Sequence, residues 1–266
     1  MENSFYAITW TDVLVALVLM AVALFLIHWW KIGLEKTLLI GTLRTFVQLS
    51  AMGYVLTWFF RQDDWFFMVG LVLMMILIAA YEGYRRQRQQ PIPNYFLILA
   101  GSMLVTICFV LGMILKFILH VQPWYYPYAM IPIAGMIIGN ALNSSTLTVN
   151  RFIGEMNHRE KEIEMLLSLG APPRAAVHDA LRDSIRAALL PNVNALMTVG
   201  LVQLPGVMTG QILSGIDPLI AVRYQIMIMY MWVTTSTLMN ILVLALVYRR
   251  FFTPQWQLKR ELLRVE

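Results

Sequence analysis

An all-α, polytopic membrane protein of about seven transmembrane helices follows from three features of this 266-residue sequence. Hydrophobic residues make up 59% of it and charged residues only 13%, where a soluble domain carries about 25% charge. Apolar runs recur at the ~20-residue length that crosses hydrocarbon. The basic residues are gathered into alternate segments between those runs. The surplus of Lys and Arg (20 against 15 acids) is therefore read as membrane orientation and not as nucleic-acid binding.

The spans are expected at residues 9–28, 37–60, 65–81, 94–119, 126–149, 191–214 and 224–248, within a single transmembrane domain covering 1–266. Residues 1–8 lack a basic n-region, and the first apolar run is too long for a signal-peptide h-region, so no cleaved leader is expected. The second span sets Arg44 and Gln48 at i,i+4, with Arg44 about two turns inside the inner boundary. Arg44 either snorkels to the headgroups or lines an inner vestibule. The fourth span holds Cys108, the only cysteine, which excludes a disulfide framework and a thiolate metal cluster.

The fifth span contains MIPIAGMIIGNALNSSTL, too polar for a helix that only sits in lipid. Gly135 and Gly139, with Ala134 and Ala141 nearby, are placed to let a second helix approach closely. Asn140 and Asn143 share a face, and in lipid each would leave amide groups unpaired at several kcal/mol. They face protein, as interhelical hydrogen bonds, or a water-filled pathway. The sixth span is interrupted by Pro205-Gly206, with Gln203, Thr209 and Gln211 around the break. Such a break bends a helix and frees carbonyls, and is tolerated at membrane depth where it is buried or lines a cavity. Gln203, Pro205, Gly206 and Gln211, with Arg44, Gln48, Asn140 and Asn143, are the candidate translocation pathway. The seventh span has no lysine, which excludes a retinal Schiff base.

Between the fifth and sixth spans lies a loop, residues 150–190, long enough for helices but not for a domain. Glu155 and Arg159 form an i,i+4 pair in the favourable order. Gly170 followed by Pro172 and Pro173 stops the first helix. In the second half, Val177, Leu181, Ile185 and Leu189 make an apolar stripe, with Arg174, His178, Arg182 and Arg186 off it, leading into Pro191. The bland reading is an interfacial helix packed under the bundle. The sharper one is a docking element: permeases driven by a separate ATPase insert a short inner-loop helix into that ATPase. Glu164 with Gly170 six residues on resembles the E-x-x-x-x-x-G core of such loops. Glu164, Gly170, Arg182 and Arg186 are the candidate coupling residues.

Orientation follows from charge. Lys31 and Lys36, then Arg85, Arg86 and Arg88, six basic residues from Arg151 to Arg186, and five from Arg249 to Arg264 total sixteen on one side. The other side has only Arg61 and Arg223. The N-terminus is thus expected outside and the C-terminus in the cytosol, in a plasma (inner) membrane. Trp10, Trp29, Trp30, Trp58, Trp65 and Trp124 fall near span ends as an aromatic belt.

Absences narrow the energy source. No Asp or Glu falls in mid-span, which disfavours a proton- or sodium-coupled carrier. No G-x-x-x-x-G-K-[ST] is present, so no ATP is expected on a P-loop of this chain. No H-E-x-x-H or G-x-S-x-G supports an intramembrane hydrolase. The four histidines lie at span ends or in the loop, so metal ligands are unassigned. A permease half energised by another polypeptide remains; the alternatives are an ATP-independent carrier and a seven-helix receptor.

The runs IPIAGMIIGNAL, LLSLGAPPRAA, RDSIRAALLP and VGLVQLPGVMTGQILSGIDPLIAVRYQIMIM, with LRTFVQLSAMGYVL in the second span, resemble the FetB family of ABC-transporter permeases. That family includes bacterial iron exporters and plant aluminium-tolerance permeases. The resemblance covers nearly the whole chain. It implies a non-enzymatic permease subunit exporting iron or another metal species. It also implies a second copy of the chain, a FetA-like cytosolic ATPase carrying the ATP–Mg, and no cofactor on this chain itself.

Overall fold

The computed structural model describes residues 9–61, 64–87 and 92–263. Residues 1–8 and the basic residues Arg88 and Arg264, used above for leader and orientation, lie outside them. Among the described residues there are ten α-helices and no strand.

The helix ends are written locally. Thr9 caps α1 (Trp10–Trp29) in a capping box, its N–H donating to the Asp12 carboxylate at 2.8 Å while Asp12 N–H reaches its hydroxyl. After α2 (Glu35–Phe59), α3 (Trp65–Arg86) and α4 (Tyr95–Gly112), the last of which continues as a π-helical segment Met113–Ile118, α5 (Pro127–His158) opens on a proline. So does α10 (Pro218–Val247), where the Asp217 carboxylate accepts Leu219 N–H at 2.8 Å. Proline fits there because the first helical N–H has no partner in any case.

Among the described residues, five stretches are long and apolar enough to cross a bilayer: Trp10–Trp29, Glu35–Phe59, Trp65–Arg86, Tyr95–Ile118 and Pro218–Phe251. They match the first four expected spans and the seventh. The fifth falls inside α5, which runs on past the expected boundary at 149 to His158. The sixth, 191–214, is not one helix. Its first part is the end of α8 (His178–Thr198), which begins within the expected loop and passes through Pro191. The chain breaks after Thr198 and resumes as α9 (Gly206–Leu213). Pro191 marks no boundary because one lost hydrogen bond is outweighed by a face packed along α5.

Helices α3, α4, α5, α8 and α10 form the body, with α5 and α10 at its centre. Buried Leu99, Met103, Ile137, Met239 and Leu244 occupy its core. The α1–α2 hairpin has no buried residue and meets the body through Leu56, Phe59 and Phe60. Phe60 stacks on Tyr128 with ring centroids 4.1 Å apart.

Two packing expectations are corrected. A Cβ on Gly139 would meet nothing within 4 Å and one on Gly135 only Met75 at 3.5 Å, so this glycine pair makes no tight crossing here. The tight one is at Gly83, where a Cβ would stand 2.9 Å from Leu99 and 3.0 Å from Leu142. On α8 the buried face is Ala180, Ser184 and Ala188, with Leu181, Ile185 and Leu189 half-buried beside it. Small residues bring α8 close to α5, and the larger ones flank the contact.

Candidate functional site

Three helices converge on a polar spine. Asn140 of α5 donates to the Trp232 carbonyl at 2.8 Å and to the Ser236 hydroxyl at 2.9 Å. Asn192 of α8 donates to the same hydroxyl at 2.6 Å. One turn along, the Ser144 hydroxyl donates to the Asn240 side-chain oxygen at 3.0 Å. Ser236 and Asn240 are fully buried, as is Thr235 just before Ser236 in sequence. Helices in lipid gain little from apolar contact, so small residues and hydrogen bonds fix the register of α5, α8 and α10. Several buried polar atoms of this layer have no protein partner among the described residues, among them the Thr235 hydroxyl, the Asn240 side-chain nitrogen and the Trp232 indole N–H.

Asn143 turns away from the spine. Its side-chain oxygen accepts from Arg86 of α3 at 3.0 Å. Asn140 and Asn143, three apart, thus serve different helices. Arg44 and Gln48 are both exposed on α2, apart from either asparagine.

The break between α8 and α9 starts seven residues beyond Asn192, roughly 10 Å further along the α8 direction. It is a compact turn: the N–H groups of Leu201, Val202 and Gln203 all point at the Thr198 carbonyl, at 3.3, 3.0 and 3.4 Å. Gly200 takes φ +83°, which favours glycine, and its N–H donates to the Gln203 carbonyl at 2.9 Å. Pro205 is extended and buried and supplies no side-chain cap, so the first N–H groups of α9 have no helical partner. Gln203 and Gly206 are exposed, while the Gln211 side-chain oxygen is buried without a partner. Leu201 and Val202 are 88% and 85% exposed.

The predicted loop is a rigid helical cap. α5 and α8 extend past the bundle as a hairpin, joined by α6 (Glu160–Ser168) and the single turn α7 (Pro173–Ala176). Its own core contains Phe152, Met156, Ile163 and Val177, all buried. The expected Glu155–Arg159 pair forms at 3.1 Å, and Arg159 also reaches Asp183 of α8 at 2.7 Å. Gly170 ends α6 at φ +87°; its N–H donates to Leu167 and that of Ala171 to Leu166, both at 3.0 Å. This is the Schellman arrangement that glycine and the following prolines favour. Arg182 and Arg186 are exposed, with Arg182 3.5 Å from Asp183.

Glu164 is held from an unexpected direction. Arg260, in the C-terminal tail, donates through Nε to one Glu164 oxygen at 2.6 Å and through a terminal nitrogen to the other, and lies 3.0 Å from Glu160. The hydrogen bonds from Arg260 hold the Glu164 carboxyl below the usual carboxylate range. The tail is anchored by buried Phe251, packed edge-on against Phe152 at 5.7 Å. Beyond the clamp, Met165 and Leu169 are 58% and 78% exposed.

Sequence reasoning missed Ser144, Asn192, Ser236, Asn240 and Arg260 as partners. The polar run from Thr234 to Thr237, followed by Asn240, was the available signal in the seventh span. Nothing local ties Arg260 to α6. Among the described residues no three His, Cys, Asp or Glu come together as a metal site.

A multi-pass α-helical membrane protein with a polar inter-helix spine and a folded helical cap is the class these features define. The chain belongs to the uncharacterised protein family UPF0014, whose model matches residues 10–252. It is 37% identical to the UPF0014 membrane protein YjkA of Bacillus subtilis, over 92% of this chain and 96% of that one. It is likewise 37% identical to the probable iron export permease protein FetB of Escherichia coli, over 94% and 95%. The Arabidopsis thaliana protein ALUMINUM SENSITIVE 3 is 34% identical, over 92% of this chain and 88% of its own. No solved structure matches the chain.

Proposed function

We propose that this chain is the permease subunit of an ATP-binding-cassette transporter that exports iron or another metal species from the cytosol. It works as a pair of copies with two separate ATPase subunits, in the plasma (inner) membrane. The N-terminus faces outward and the cap α5–α8 faces the cytosol, as the basic residues of the cap and tail favour. The relative named as an iron export permease supports the substrate class. In this reading the seven crossings are α1 to α5, the α8–α9 unit, and α10.

One observation carries the proposal. The tip of α6 presents Met165 and Leu169, exposed apolar side chains, on an element stiffened from below by Phe152, Ile163 and the Arg260 clamp. An interfacial helix lays such residues into the headgroup layer of the bilayer; a docking knob points them into the cytosol. ATP-driven closure of the partner then moves α5 and α8 as one body. That motion reaches the spine and the α8–α9 break, where the cargo passes. Asn140, Asn143, Gln203, Pro205, Gly206 and Gln211 border that route, with Arg44 and Gln48 at its inner vestibule.

Co-purification with an adjacent-gene P-loop ATPase tests the class, and Leu169→Asp with Gly170→Leu tests the knob. The expected result is loss of permease-stimulated ATP hydrolysis by at least tenfold, with insertion and monodispersity unchanged. Full stimulation in that variant returns α6 to a packing role.

A further inference from the structure

A groove of about 920 Å³ opens between α3 and α4, at the end of the bundle where α3 begins. Its floor is apolar and buried, with Val72, Ile107 and Leu111. Leu73 and Leu104 stand at its sides, exposed to whatever surrounds the protein. The volume lies in the range of ligand pockets, about 300–1,000 Å³. Along α4 the lining runs from Leu104 to Lys116, a length of roughly 18 Å.

Polar groups gather only at one end. Lys116 and His120 line the mouth, with Gln122 beside them. Lys116 is the single charged residue in the span Tyr95–Ile118. Among the described residues it forms no ion pair, and its nearest charge-related contact is the Phe117 ring at 5.8 Å. It sits in the π-helical segment, where Leu119 N–H donates to the Ile114 carbonyl at 2.8 Å. Such wide turns are rare and recur at functional sites.

We propose that this groove binds one anionic phospholipid, an acyl chain along the apolar floor and the phosphate against the Lys116 ammonium. Charge complementarity selects this occupant. A free anion would gain nothing from the long apolar floor. A helix of a second copy laid in the groove would strand the Lys116 charge, because the acids at the matching ends of α1 and α10, Asp12 and Asp217, are already engaged at their own helix N-termini. A phospholipid satisfies both ends at once. Phosphate answers the ammonium as in other lysine–phosphate contacts, and the His120 and Gln122 side chains border its remaining oxygens. The inference does not draw on the transport reading, so the ATPase experiments above neither support nor sink it.

The test uses the full-length chain purified in mild detergent. Native mass spectrometry is run after incubation with phosphatidylglycerol or with phosphatidylcholine bearing the same chains. One phosphatidylglycerol per chain should survive activation that strips phosphatidylcholine. Its retention should fall at least tenfold in Lys116→Gln and return in Lys116→Arg. Cys108, which lines the groove and is exposed, supplies a readout that needs no charge variant. Phosphatidylglycerol should slow its alkylation by N-ethylmaleimide several-fold and phosphatidylcholine should not. Equal retention of the two lipids overturns the proposal. So does phosphatidylglycerol binding that Lys116→Gln leaves unchanged, or Cys108 protection that follows dimerisation and not lipid.

Discussion

Glu164 and Arg260 lie 96 residues apart in sequence and form a two-pronged ion pair that fastens the C-terminal tail to α6. Glu160 adds a second carboxylate to the same guanidinium at 3.0 Å. The residue read from sequence as a docking contact is therefore also an internal strut. In the proposed coupling its part is to hold α6 at a fixed angle while Met165 and Leu169, further along the helix, make the contact.

Arg260→Glu should release the tail and loosen α6 without unfolding the bundle, since exposed pairs contribute little to global stability. Hydrogen exchange should rise in the α6 amides and in the tail beyond Phe251, and ATPase stimulation should fall several-fold. The charge-reversed pair Glu164→Arg with Arg260→Glu should recover much of the protection. Failure of the double variant to recover any would show that the tail is held by Phe251 alone.

The pH response of this clamp has a definite sign. Arg260 holds the folded-state pKa of Glu164 below its unfolded value of 4.5. The contribution is thus complete above about pH 4.5 and is lost as pH falls through the lowered folded value. Tail protection should be flat from pH 7 to pH 5 and decline only below that. A decline centred between pH 6 and 7 would point to a histidine instead.

Topology is checked in a Cys108→Ala background. A cysteine at Asp64, before α3, should react with a membrane-impermeant maleimide added outside intact cells. One at Gln257, in the tail, should react only after permeabilisation. Labelling of both from outside would break the sixteen-to-two charge reading on which the orientation rests.

The spine predicts unequal costs for the two asparagines of α5. Asn140 binds two groups on α10, one of them a serine shared with Asn192, whereas Asn143 binds one exposed arginine. Asn140→Ala should destabilise by about 0.5–2 kcal/mol, the range of hydrogen bonds between membrane helices. Asn143→Ala should cost clearly less. Denaturation in mixed micelles measures both, and equal effects would mean that α5 and α10 are held chiefly by packing.

The apolar runs made the first four spans and the last legible, because length and hydropathy are local properties. The stop at Gly170 was legible for the same reason: a positive-φ cap and two prolines need no distant partner. The continuity of α8 through Pro191 was not. It depends on Ala180, Ser184 and Ala188 meeting α5, a tertiary fact that overrides the local signal. Polar residues in α5 announced that something polar faced them, but whether that was water or Ser236 is decided by the path of α10. The glycines of that helix misled because close packing needs a neighbour of the right shape, which Gly83 has and Gly139 lacks.

The break between α8 and α9 is the place where the transport reading is most exposed. Irregular backbone at membrane depth is tolerated where protein or a water-filled cavity covers it, yet Leu201 and Val202 stand almost fully exposed on a single chain. Under the proposed assembly the turn faces the partner copy or the route between copies. Single cysteines at Gln203 and Gln211, in the Cys108→Ala background, should react with a small water-soluble thiol reagent. Their rates should change severalfold when the ATPase is trapped with nucleotide, because alternating access opens one side at a time. A cysteine at Leu246, exposed on α10 toward the opposite end of the bundle, serves as the lipid-facing control and should stay inert in both states. Cross-linking of Leu201→Cys between copies, with both glutamine positions as inert as that control, would make the break an intersubunit contact and move the route elsewhere.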